Sequence, residues 1–178
     1  MWKLAAAFAE VALRRRGPET LPDSTFLVVV LVLADAMVSI LALTLDAGLS
    51  GLDLLLLAVN TGLFLAFTYA VLTFFKLERR YRQTVSAILG ADIWITLVFV
   101  PLALVGLGMG LDLSQPPFGW VQLAFWIWAV FISAWVLARS LSQPLIVGFM
   151  FEVLYILTWL SIRDVLAPPA ASLPSASA

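Results

Sequence analysis

The chain has 178 residues, 63% of them hydrophobic and 12% charged, with a mean hydropathy of +1.06, whereas soluble domains are near half apolar and about a quarter charged. So short a chain cannot hide that much apolar surface in one water-soluble core, and a net charge of −1 gives no global field for nucleic acid. With no Cys and no His, disulfides and Cys/His zinc sites are excluded, no axial His is left for haem and no Cys for an iron–sulfur cluster, and Ser-His and Cys-His catalysis are ruled out.

Residues 1–16 do not read as a cleavable signal, because Arg14, Arg15 and Arg16 follow the apolar stretch instead of preceding it. On a helical wheel Lys3, Glu10 and Arg14 share one side and Leu4, Phe8 and Val11 an adjacent face, with Glu10 and Arg14 spaced for an i,i+4 pair. With Trp2 near its start, the segment is predicted as a short amphipathic helix in the membrane interface, or else a solvated helix packed on its own bundle. Gly17 and Pro18 break it, and Asp23 or Ser24 can cap the next helix.

Five apolar runs follow: Thr25 to Leu45, Leu52 to Phe75, Ile93 to Leu111 (a start near Thr84 also fits), Trp120 to Ala138, and Pro144 to Ile162. Each is close to the ~20 residues that carry a helix across a hydrocarbon layer, and helices satisfy their own backbone there. The predicted fold is all-α: a five-span transmembrane bundle over 24–166, preceded by the short helix of 1–16 and followed by a flexible Pro-, Ala- and Ser-rich tail over 167–178. Alternation through five spans puts Lys3, Arg14, Arg15, Arg16, Lys76, Arg79, Arg80, Arg82 and Arg139 on one side and only Arg163 on the other. The positive-inside rule then predicts a cytoplasmic (inner) membrane protein with its N-terminus in the cytoplasm and its C-terminus outside. The outer loops carry Asp46, Asp53 and Asp112, with Pro116 and Pro117 in the longer one.

Asp35, Asp92 and Glu152 lie in or beside the apolar runs. Asp35 and Glu152 fall ~15 Å deep at 1.5 Å per residue, where an ionised carboxylate costs at least ~2.5 kcal/mol. They are candidates for a proton- or cation-handling pair, with Asn60 and Tyr155. The alternatives are neutral groups bonded to Ser39, Ser133, Tyr69 or a backbone carbonyl, or pairing with a basic residue of a partner subunit. Asp92 suits a helix start, where the positive helix end favours it. Gly90-Ala91-Asp92 also echoes part of the GxGD element of intramembrane aspartyl proteases, with Leu89 where that pattern has its first Gly.

Ala58, Gly62, Ala66 and Ala70 repeat every four residues in the second span and form a smooth stripe for close helix approach, with the partner helix expected first within this chain and otherwise in a second chain. Pro101 is expected to kink the third span by clashing with the carbonyl of Leu97, and Gly106, Gly108 and Gly110 to loosen its outer end. Trp120 and Trp135 suit interfacial belts at either end of the aromatic fourth span. Arg14, Arg15, Arg16, Lys76, Arg79, Arg80 and Arg82 form a basic collar for lipid headgroups or an acidic partner.

The stretch Arg16-Gly-Pro-Glu-Thr-Leu-Pro22 before the first span, and Tyr81-Arg-Gln-Thr-Val-Ser-Ala-Ile-Leu-Gly90 leading into the third, resemble the layout of the Yip family of five-span membrane proteins. The resemblance covers Met1 to Leu166. It implies a cytoplasmic N-terminus, a short non-cytoplasmic C-terminus and, for bacterial members, a membrane scaffold with no catalytic residues; the long N-terminal region of the trafficking members is missing here. The expected function is a non-catalytic scaffold or assembly subunit without cofactor or metal, partnered by lipid and by another membrane protein or a second copy. The rival is a small proton- or cation-coupled transporter or channel using Asp35 and Glu152.

Overall fold

The computed structural model describes residues 2–46, 49–109 and 118–167. The tail beyond Ala167, the loop residues Gly110, Asp112, Pro116 and Pro117, and the side chains of Trp2, Lys3, Leu4 and Asp46 lie outside what is described.

Among the described residues the chain is a bundle of six α-helices: α1 Trp2–Ala12, α2 Thr25–Asp46, α3 Gly51–Phe74, α4 Tyr81–Gly108, α5 Phe118–Ser140 and α6 Leu145–Leu166. Short 3₁₀ turns at Pro18–Thr20 and Glu78–Arg80 join α1 to α2 and α3 to α4. Five of the six helices are long and apolar enough to cross a membrane, which makes this a multi-pass membrane protein. Ser24 accepts from the Leu27 amide at 3.3 Å and starts α2. Ser50 and Asp53 form a reciprocal capping box on α3, satisfying amides that the helix itself leaves unpaired.

The third span differs from the main expectation: α4 begins at Tyr81, not Ile93. The polar residues Gln83, Thr84 and Ser86 concealed this start; Ser86 is fully buried with no hydrogen-bond partner for its Oγ among the described residues, while the other two are paired. Gln83 donates to the Leu21 carbonyl at 2.9 Å, and Thr84 to Ser140 Oγ at 2.8 Å. Asp92 therefore sits in mid-helix, and the helix-start role expected for it is wrong. The helix continues through Pro101 to Gly108.

α4 is the central helix, packing most closely on α2, α5 and α1 and more lightly on α3. Its residues Thr84 to Ala91 are buried without a break; Ala87, Ile88 and Ala91 cluster with Ile132 and Val136 of α5, and Val85 and Leu89 with Leu31 of α2, while Val71 and Leu72 of α3 cluster with Leu137 of α5 in the same half. The dense core thus occupies the half of the bundle that ends in Lys76, Arg79, Arg80, Arg82 and Arg139, here called the basic end. Toward the far end, α4 turns Leu97, Val98 and Leu102 outward.

The N-terminal segment forms the short helix α1, which packs on the bundle. Ala7, Val11 and Ala12 are buried, and the Phe8 ring lies so close on Gly90 that a Cβ there would collide with it. Trp128 Nε1 donates to the Ala12 carbonyl at 3.3 Å. The Glu10–Arg14 pair does not form. The helix stops at Ala12, Arg14 adopts φ 60, and its guanidinium lies 4.8 Å over the Phe131 ring. Glu10 pairs with Arg16 instead, at 2.6 Å.

The small-residue stripe is a second correction. Ala58, Gly62, Ala66 and Ala70 are all exposed, and a Cβ on Gly62 would meet nothing within 4 Å. Close packing inside the chain occurs instead at the α5–α6 hairpin, where Gly148 lies against the Ala134 carbonyl and the Ala138 methyl with no room for a side chain.

Candidate functional site: a carboxylate-lined cleft

The intramembrane carboxylates arrive from three different helices. Asp35 is the eleventh residue of α2, Asp92 the twelfth of α4 and Glu152 the eighth of α6, so each lies roughly 10–17 Å along its helix from the basic end. All three line one cavity of about 470 Å³, together with Asn60, Ser133 and Tyr155. The α2–α4 contact brings the Asp35 and Asp92 carboxyls within hydrogen-bonding range of each other.

Tyr155 Oη donates to Asn60 Oδ1 at 2.7 Å, linking α6 to α3 across the cavity. Phe64 and Phe67 lie against the Tyr155 ring, with centroids 6.2 and 5.5 Å away. Of the alternative polar partners, Ser133 lines the same cavity, Ser39 lines the next chamber, and Tyr69 lies away from it, edge-on to Tyr81.

A second chamber of about 600 Å³ continues toward the far end, lined by Ser39, Asp53, Thr96, Gln122 and others. The two chambers share Asn60, Trp126, Trp159 and Arg163, so they form one cleft. It starts among the first residues of α3 and the last of α6 and ends at the carboxylates, below which the packed basic half begins. Trp126 and Trp159 form aromatic walls, and Arg163 is the one basic side chain in the cleft.

The expected pairing of Asp35 with Glu152 is therefore broadened, since Asp92 is the direct neighbour of Asp35. Arg163 and Trp159 were not singled out from sequence as part of a site. Arg163 alone carried a signal, as the single basic residue on the far side. No group of three or more Asp or Glu side chains with metal-holding geometry occurs among the described residues, so these carboxylates do not converge as a ligand set. The local sequence Leu89-Gly90-Ala91-Asp92 departs from the GxGD pattern of intramembrane aspartyl proteases, with Leu89 in place of its first glycine.

The collar residues separate at the basic end. Arg14 lies on Phe131 and Trp135, Arg16 pairs with Glu10, Arg82 reaches Asp23 at 3.3 Å, and Arg80 binds the α5–α6 turn. Arg15, Lys76 and Arg79 are exposed.

No family model, curated protein or solved structure matches this chain at a significant level.

Proposed function

We propose that the protein is a small, non-enzymatic membrane transporter or channel component that handles protons or a small cation through Asp35, Asp92 and Glu152. The observation that carries this reading is the cleft that joins all three carboxylates to one end of the bundle and stops at the packed half. Intramembrane ionisable residues that line a cavity mark proton or ion pathways in polytopic proteins. Nine of the ten basic residues fall on one side of the alternating spans, which supports a cytoplasmic basic end and a cleft open to the outside of a bacterial-type inner membrane.

The test is proton- and cation-dependent flux in proteoliposomes. Wild type is expected to carry flux, and Asp35→Asn and Glu152→Gln to lower it by about tenfold or more, as loss of a charge-handling group in a relay demands. Absence of flux in wild type, or mutants that match wild type, overturns the reading.

The outward-facing stripe Ala58, Gly62, Ala66 and Ala70 favours a second reading, a scaffold or assembly subunit docking a partner helix on α3. The Yip-like layout of five spans accords with this and supplies no catalytic residue. Native mass spectrometry in mild detergent tests it: a stable partner or second copy is expected, displaced by Gly62→Ile, and a strictly monomeric chain in native membranes rules it out.

A further inference from the structure

At the basic end, separate from the carboxylate cleft, the Pro18–Thr20 turn, the first turns of α4 and the α5–α6 connection enclose a second polar cavity of about 250 Å³. Its charged lining is Glu19, Arg80 and Arg139, with Gln83, Thr84 and Ser142 supplying polar groups. At about 30 Å³ per water, this volume takes a phosphate group with room beside it.

Both arginines are held in place before any ligand arrives. Arg80 Nη1 donates to the Ser140 carbonyl at 2.7 Å and to Ser142 Oγ at 2.9 Å, which restrains the guanidinium while Nε and Nη2 make no hydrogen bond among the described residues. Arg139 donates through Nε and Nη2 to a single oxygen, Glu19 Oε1, at 3.0 and 2.7 Å, and its guanidinium lies 5.7 Å from the Trp135 ring. Glu19 also feels Arg80, and the Arg139 hydrogen bond holds its carboxyl below the usual glutamate range. The ion pair rests directly on Gly17, where a Cβ would collide with both partners. The one carboxylate of the pocket is thus paired with Arg139, and no ion pair to Arg80 occurs among the described residues.

We infer that this pocket binds a phosphate-bearing anion, with Glu19 as an internal occupant that the ligand displaces from Arg139. Arginine forks match phosphate oxygens in pairs. The pocket lies at the ends of spanning helices, within the neighbouring field of Arg79 and Arg82. An anionic phospholipid headgroup and a soluble phosphate both offer this chemistry.

Isothermal titration calorimetry on the full chain in neutral detergent tests the inference. The probes are dioctanoyl phosphatidylglycerol, dioctanoyl phosphatidylcholine and inorganic phosphate. Saturable binding is expected for at least one of the anions and not for phosphatidylcholine. Arg80→Gln and Arg139→Gln are expected to weaken it about tenfold, the worth of a charge-assisted hydrogen bond. Glu19→Gln removes the competitor and is expected to tighten binding several-fold, an effect that a merely structural ion pair would not produce. Binding of phosphatidylglycerol alone identifies a headgroup site, and competition by inorganic phosphate identifies a soluble ligand. Three results overturn the inference: no binding of either anion, Glu19→Gln binding no more tightly than wild type, or Lys76→Gln, on the same collar outside the pocket, weakening binding as much as Arg80→Gln. Should an arginine variant fail to fold, Glu19→Gln, a neutral near-isostere, decides the question by itself.

Discussion

Arg14, Lys76 and Ser142 have φ of 60, 58 and 55, a backbone region that L-residues avoid. Each stands just past a helix end that closes with the same pair of bonds. Leu77 N–H reaches the Leu72 carbonyl at 2.8 Å and Lys76 N–H the Thr73 carbonyl at 2.9 Å, and matching bonds join Arg15 to Glu10 and Gln143 to Ala138. Glycine is the usual residue there, so Lys76→Gly is expected to raise stability by up to about 1 kcal/mol, the left-handed penalty less the chain entropy of glycine. Thermal unfolding in detergent measures this. The sequence offered no glycine at these three sites, which is why the end of α1 and the loss of the Glu10–Arg14 pair were illegible in it. The Glu19–Arg139 pair gives a pH prediction with a definite sign. Because the folded pKa of Glu19 is depressed below its ordinary 4.5, the pair's contribution is fully present above that value and is lost as pH falls through the folded pKa. Its half-exposed position keeps the effect small, and unfolding midpoints of wild type and Glu19→Gln are expected to converge at low pH. Inside the bundle, Tyr155→Phe leaves Asn60 Oδ1 without its donor. It is expected to cost about 0.6 kcal/mol, the average for hydrogen bonds between membrane helices, and no more than about 1.7, by the same measurement.

Hydrophobic runs revealed the existence of the helices because lipid demands an unbroken apolar length, and α2, α3, α5 and α6 begin and end within four residues of the expected limits. Facing could not be read in the same way. Lipid-facing and core-facing positions are equally greasy, so the pattern at Ala58, Gly62, Ala66 and Ala70 looked like a packing seam although it points outward. Gly148, spaced from no other glycine, is the one clamped between helices. Gly148→Leu is therefore expected to destabilise the α5–α6 hairpin by about 1–3 kcal/mol or more, the range for overpacking a close contact, while Gly62→Ile leaves monomer unfolding within about 0.5 kcal/mol of wild type. Reversible unfolding in mixed detergent distinguishes the two. The polar first turns of α4 misled for a related reason: Thr84 and Ser86 interrupt an apolar run, yet both are fully buried.

The whole molecule is asymmetric, packed at its basic end and split by the cleft toward the other. Charge distribution and span count were legible because each depends on local composition. The cleft was not, since it depends on α2, α4 and α6 placing one carboxylate each at matching depth. The absence of cysteine makes this asymmetry directly testable. Ser133→Cys, in the cleft, is expected to react with a small water-soluble thiosulfonate in intact vesicles, and Ser86→Cys, buried in the packed half, to stay unmodified; equal labelling of both removes the cleft. One further consequence follows from α4. Its 28 residues extend about 42 Å if straight, against a hydrocarbon thickness of about 30 Å, whereas its neighbour α2 has 22. The longer rod must lean or protrude where the shorter does not, and Asp92 and Asp35 meet across that pair. Acyl-chain length is thereby expected to act on the carboxyl contact, thin bilayers favouring a greater lean of α4 than thick ones.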